Sequence, residues 1–88
     1  MTSNKEFQEL ALATVKKYAE EHLDTTDNYT LKDDDVYIVW LVKALQNFKA
    51  LVSTNLHDGM YYEVTYNGDK QELYLDAYKK FENRVFKV

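Results

Sequence analysis

The sequence predicts an α+β fold in which one N-terminal helix packs on a four-stranded, mainly antiparallel sheet. Three observations carry this expectation. Apolar residues recur at helical spacing only in the first quarter of the chain. From Val36 onward they alternate, or run together in β-branched and aromatic segments suited to strands. Short turn signals separate those segments: Gln46-Asn47, Asp58-Gly59 and Asn67-Gly68-Asp69-Lys70.

Residues 4–23 read as the helix. Ser3 followed by Glu6 fits a capping box, each side chain satisfying a free backbone N–H. Phe7, Leu10, Ala11, Thr14, Tyr18 and Leu23 share a broad face, with Val15 and Ala19 beside it. Residues 24–35 are polar, carry five aspartates and read as a connection pinned by Tyr29 and Leu31. Val36 to Leu45 is expected as the first strand. Val36, Ile38, Trp40, Val42 and Ala44 would point one way, and Tyr37, Val39, Leu41 and Leu45 the other. Two apolar faces predict a central strand with Trp40 in the core. A two-residue turn at Gln46-Asn47 would lead into Phe48 to Thr54, pairing Leu45 with Phe48 and Val42 with Leu51. The third strand is expected over Met60 to Tyr66 and the fourth over Gln71 to Tyr78. Gly68 and Asp69 would centre their turn, with Gly68 at positive φ and Val64 facing Leu73. Residues 79–88 are expected to stay extended, the competing reading being a short helix carrying Phe81 and Val85.

Composition bounds the function classes. The chain has 88 residues, which predicts a single small domain spanning 1–88. With 45% hydrophobic residues and a net charge of only −4, it has enough apolar surface to fold. It has no cysteine, so disulfides and thiolate metal sites are excluded and an intracellular setting is expected. The first six residues lack the apolar segment and cleavage site of a signal peptide, and no apolar run is long enough to span a bilayer. No membrane partner is expected. The acidic balance weighs against nonspecific phosphate binding.

The segments DDVYIVW, LVKALQNFKALVST and DGMYYEVTYNGDKQELYLDAYKKFEN, between Asp34 and Asn83, resemble a family of short uncharacterised proteins of phages and prophages of Gram-positive bacteria, classed as a domain of unknown function. The N-terminal helix resembles it by pattern only. The chain departs from the family at Phe81, where a tryptophan is expected, and at Val42, where cysteine is commoner; both are apolar exchanges that suggest packing positions. The resemblance implies a viral or prophage origin and a location in the host cytoplasm. It supplies no activity, cofactor or catalytic residue.

The candidate sites are few. Asp24, Asp27, Asp33, Asp34 and Asp35 lack the spacing and turn glycine of a calcium loop and read as a solvated connection, Asp33–Asp35 shielding a strand start. His22 and His57 have no sequence partner for acid–base or metal chemistry; His22 suits a helix C-terminus and His57 a surface turn. Ser53 and Thr54 lack a nucleophile-elbow context. No cofactor, metal or catalytic residue is expected, and the chain is not expected to be an enzyme. The tyrosines stand out. Tyr61, Tyr62, Tyr66, Tyr74 and Tyr78 fall on two adjoining strands, so some must face away from the helix. They could be ordinary strand residues with wet hydroxyls, a protein interface, or a base-stacking platform helped by Lys49, Lys70, Lys79, Lys80 and Arg84.

One helix covers only one face of a four-stranded sheet, so a second face needs cover from residues 79–88 or from another chain. The candidate interaction surface is Tyr37, Leu41, Tyr61, Tyr74 and Tyr78. The leading expectation is a noncatalytic phage accessory protein that binds a host or phage protein and forms a homodimer. Single-stranded nucleic-acid binding is the alternative.

Overall fold

The computed structural model describes residues 3–22, 31–56 and 58–88. Helix α1 (Asn4–Glu21) is followed by a 3-10 turn (Asp33–Asp35) and four strands, β1 (Val36–Ala44), β2 (Asn47–Thr54), β3 (Met60–Asn67) and β4 (Glu72–Lys79). The strands form one antiparallel meander in the order β1-β2-β3-β4. The predicted α+β architecture is therefore the observed one. The expected helix end at Leu23, the acidic positions Asp24 and Asp27, the pin at Tyr29 and the turn residue His57 lie outside the described residues.

The capping box starts α1 as predicted: the Glu6 N–H donates to Ser3 Oγ, and the Ser3 N–H to Glu6 Oε1. The buried stripe is Phe7, Ala11, Val15 and Ala19, a strict four-residue row. It is turned slightly from the predicted face, since Leu10 is exposed. Small residues in that row let the helix sit close to the sheet. Aromatic rings fix its two ends: Phe7 stacks on Phe48 with ring centroids 4.9 Å apart, and Tyr18 meets Tyr62 edge-on at 5.7 Å. Such pairs add about 0.5–1.5 kcal/mol beyond area burial. Leu31 is fully buried in the same cluster.

Below the helix, the sheet presents three four-residue rows across β1 to β4: Lys43–Phe48–Tyr66–Leu73, Leu41–Ala50–Val64–Leu75 and Ile38–Val52–Tyr62–Ala77. The middle strands contribute the buried members. Lys43 closes the first row with its ammonium 5.4 Å from the Phe48 ring centre. Asp33 pairs with Lys16 of α1 at 2.9 Å. Asp35 accepts from the Lys32 N–H and the Asn55 side chain, tying the start of β1 to the end of β2.

Four sequence expectations are corrected. β1 is an edge strand, because the meander places β2 and β3 at the centre. Val39 is an extra residue in β1: Ile38 faces Val52, yet Trp40 already faces Leu51. This bulge inverts the side-chain alternation, sending Leu41 to the helix side and Trp40 away from the core. The first hairpin turns at Leu45-Gln46, with Leu45 at φ 57°, so Lys43 faces Phe48 and Val42 faces Lys49. The second hairpin has a four-residue loop, 68–71, in which Gln71 takes the positive φ; Val64 faces Leu75 and Tyr66 faces Leu73. That register is two residues from the predicted one and so keeps every side chain on its predicted face.

Gly68 is needed for space instead of for φ. The two hairpin turns touch: the Gly68 N–H donates to Asn47 Oδ1 at 2.9 Å, and Gln46 donates to Asp69. A Cβ on Gly68 would overlap the Gln46 carbonyl oxygen and stand 2.7 Å from its Cγ. Gly68→Ala is expected to destabilise the fold by about 1–3 kcal/mol, the usual cost of overpacking. Chemical denaturation measures it, and an unchanged midpoint would count against the turn–turn contact.

Tyr62 ties stability to pH. Burial, assisted by Asp58 and Tyr18, raises its phenol above the ordinary 10.0. The folded state thus holds this proton more tightly than the unfolded chain does. That contribution is complete below pH 10.0 and disappears as pH climbs through the raised folded value. Tyr62→Phe should flatten the alkaline fall in Tm; identical Tm profiles for both proteins would refute this coupling.

Candidate interaction face

The side of the sheet away from α1 is built by the complementary rows. Across β1 to β4 they are Val42–Lys49–Thr65–Tyr74, Trp40–Leu51–Glu63–Asp76 and Tyr37–Ser53–Tyr61–Tyr78. Strand alternation alone puts these residues on one surface. No described element lies over it. Tyr37, Val39, Trp40, Val42, Tyr74 and Tyr78 are each 40–54% exposed. The apolar side chains cluster on β1 and along β4, the two edges. The centre is lower and partly polar, with Ser53 buried between the flanking tyrosine positions. A shallow concavity of about 320 Å³ lies between Trp40 and Val42 on one side and Lys49 and Thr65 on the other.

One ion pair lies within this face, which keeps a net negative charge from Glu63, Glu72 and Asp76 against Lys49. Lys49 Nζ lies 3.0 Å from Glu63 Oε1. That hydrogen bond, with the Glu63 charge, raises the Lys49 ammonium above its ordinary range, and Tyr78 and Asp76 add to the effect. The Tyr74 hydroxyl donates to Glu72 two residues away, which raises the phenol. Lys49 with Glu63, and Tyr74 with Glu72, are engaged sideways, within the surface. What stands out from the sheet is therefore mostly ring and branched aliphatic carbon.

Of the residues singled out from sequence, Tyr37, Tyr61, Tyr74 and Tyr78 lie on this face and Leu41 does not: the Val39 bulge turns it toward α1. The same bulge brings in Trp40 and Val42, which sequence reasoning assigned elsewhere. No residue type in the sequence marks the bulge, since Val39 is as apolar and as strand-prone as its neighbours. Of the five basic residues considered as nucleic-acid contacts, only Lys49 belongs to these rows.

The other candidates are structural in geometry. His22 caps α1: its Nδ1 donates to the Tyr18 carbonyl at 2.8 Å and its ring stacks on Tyr18 at 4.0 Å. Thr54 Oγ1 accepts from the Leu56 N–H at 3.2 Å. Among the described residues, no group of three or more histidine or carboxylate side chains converges as a metal site would require. Among them, too, no helix is long and apolar enough to cross a membrane.

Residues 8–88 match a protein family described as a family of unknown function, DUF6275. No curated protein and no solved structure matches the chain.

Trp40 is the sole tryptophan, so its fluorescence reports on the uncovered face alone. Acrylamide should quench the native protein well above the level of a buried indole, though less than the unfolded chain. Complete protection in dilute monomer would contradict the exposed placement of this ring.

Proposed function

The chain belongs to the DUF6275 family, and we propose that it is a noncatalytic phage or prophage accessory protein that acts in the host cytoplasm by binding protein through the uncovered sheet face. One observation carries this reading. Five apolar or aromatic side chains that the register places on this face, Tyr37, Trp40, Val42, Tyr74 and Tyr78, are each about half exposed, and the one basic residue in its rows, Lys49, is paired with Glu63. Soluble monomers rarely leave so many large apolar side chains open on one face, and tyrosine and tryptophan are enriched where proteins meet. Self-association as a two-fold dimer is the simplest use of such a patch, because a copy of the chain supplies a surface of the same chemistry. The charge balance disfavours nucleic acid. Glu63, Glu72 and Asp76 outnumber Lys49 on the face, and Lys49 is committed to Glu63.

Val42→Glu with Tyr78→Glu tests this reading, since both side chains are about half exposed and their replacement should leave the fold intact by circular dichroism. Light scattering at high micromolar concentration should show self-association of the native chain and its loss in the variant. A low-salt mobility shift with single-stranded DNA and RNA runs in parallel. Retention of nucleic acid that Tyr→Ala exchanges abolish would replace the protein-binding reading. Native and variant chains that are equally monomeric, and that capture the same host proteins, would remove the face as an interaction surface.

A further inference from the structure

Beyond β4 the chain leaves its own body. The Lys80 N–H donates to the Gly59 carbonyl at 2.7 Å, and among the described residues no further backbone hydrogen bond ties 81–88 to the rest. Every residue from Lys80 to Val88 is exposed. Phe81 is 98%, Val85 85% and Phe86 73% exposed, and Val88 is fully so. The intramolecular solution, in which this segment folds back over the second face, is therefore not the conformation adopted. Among the described residues, two apolar surfaces have no partner: an aromatic sheet face and an apolar arm.

Their charges are opposite. Residues 80–88 contain Lys80, Arg84 and Lys87 against Glu82, a net +2; with −4 for the whole chain, residues 1–79 carry −6. The sheet face contributes Glu63, Glu72 and Asp76 to that excess. Within the arm, Arg84 pairs with its neighbours, Glu82 at 3.5 Å and the Phe86 ring at 5.4 Å, contacts that a stronger acceptor can replace. Reach is sufficient. Nine extended residues span about 30 Å, against roughly 15 Å across four strands.

We propose that residues 80–88 of one copy lie across the uncovered sheet face of a second copy, and reciprocally, in a two-fold, arm-exchanged dimer. This rests on the reading of that face as a protein-binding surface and names what occupies it. Phe81 and Phe86 are the anchors, set against the Trp40, Val42 and Tyr37 edge, while the basic residues meet Glu63, Glu72 and Asp76. Two phenylalanines and two valines offer about 500 Å² of apolar surface per arm. Two such contacts, counted on both sides, remove on the order of 2,000 Å² from water, enough for a stable dimer.

The test uses the full chain throughout. Phe81→Ser with Phe86→Ser disables the arm without changing its charge, at two exposed positions. Val42→Glu with Tyr78→Glu disables the face. Analytical ultracentrifugation should show that each variant alone self-associates at least ~100-fold more weakly than the native chain, the loss expected from two buried aromatic anchors. An equimolar mixture of the two variants should recover a heterodimer, because one intact arm still meets one intact face. Rising salt should weaken the native dimer. An arm variant that dimerises as well as the native chain would overturn arm exchange and indicate a face-to-face dimer, leaving the face as the binding surface. A native chain that stays monomeric at high micromolar concentration would also overturn it. In that case, Trp40 quenching that increases in the arm variant would locate the arm on its own sheet, while capture of another protein, lost in the face variant, would still support the broader reading.

Discussion

One extra residue decides what this molecule shows to the outside. Because side chains alternate along a strand, an insertion of one inverts the facing of everything beyond it until the strand ends. Val39 is that insertion. Before it, Val36 and Ile38 face the helix; after it, Leu41 and Lys43 do, while Trp40 and Val42 turn outward. With a regular β1, the indole would have to fit beneath α1, where Ala11, Ala50 and Val52 are already fully buried. The close approach of the helix and the aromatic character of the opposite face both follow from this local irregularity.

Much of the fold was legible from the sequence, because it is written in local patterns. The capping box at Ser3 and Glu6, the change of period at Val36 and the turn residues around Gly68 each act over a few neighbouring residues, and each appears where expected. What escaped is what depends on partners distant in sequence. The edge position of β1 follows from the order of pairing, and two apolar faces misled because one of them is exposed rather than covered. The turn at Leu45-Gln46 puts a leucine at positive φ, against its intrinsic preference, so turn chemistry pointed one residue too far along. Gly68 was singled out correctly but for the wrong reason: the constraint is the neighbouring hairpin, and no local rule reports it.

The candidate face was half legible for the same reason. Tyr61, Tyr74 and Tyr78 follow simple alternation on β3 and β4, where no bulge intervenes, and Tyr37 lies before the bulge. Leu41, Trp40 and Val42 lie after it and change sides together. The polar residues of the face show how some of a sheet's polar groups can be satisfied within its own surface. Lys49 and Glu63 face each other diagonally across β2 and β3, and Tyr74 and Glu72 are neighbours along β4. Side-by-side pairing of this kind costs an incoming partner little desolvation, since the groups need not be separated when water is removed.

The meander also determines the order in which the molecule can assemble. Each strand pairs only with its neighbour in the chain, so the three ladders close over short loops whose entropy cost is small. Sheet formation is in this sense a sequence of local zippering steps, favourable for rapid folding. The helix is different. It leaves the ribosome before the sheet does, yet the aromatic partners that fix its ends, Phe48 and Tyr62, lie on β2 and β3. Until that surface exists, Phe7, Val15 and Tyr18 have nothing to pack against, and a short helix alone is marginal in water. Chain synthesis must therefore run through β3 before α1 has its full packing surface.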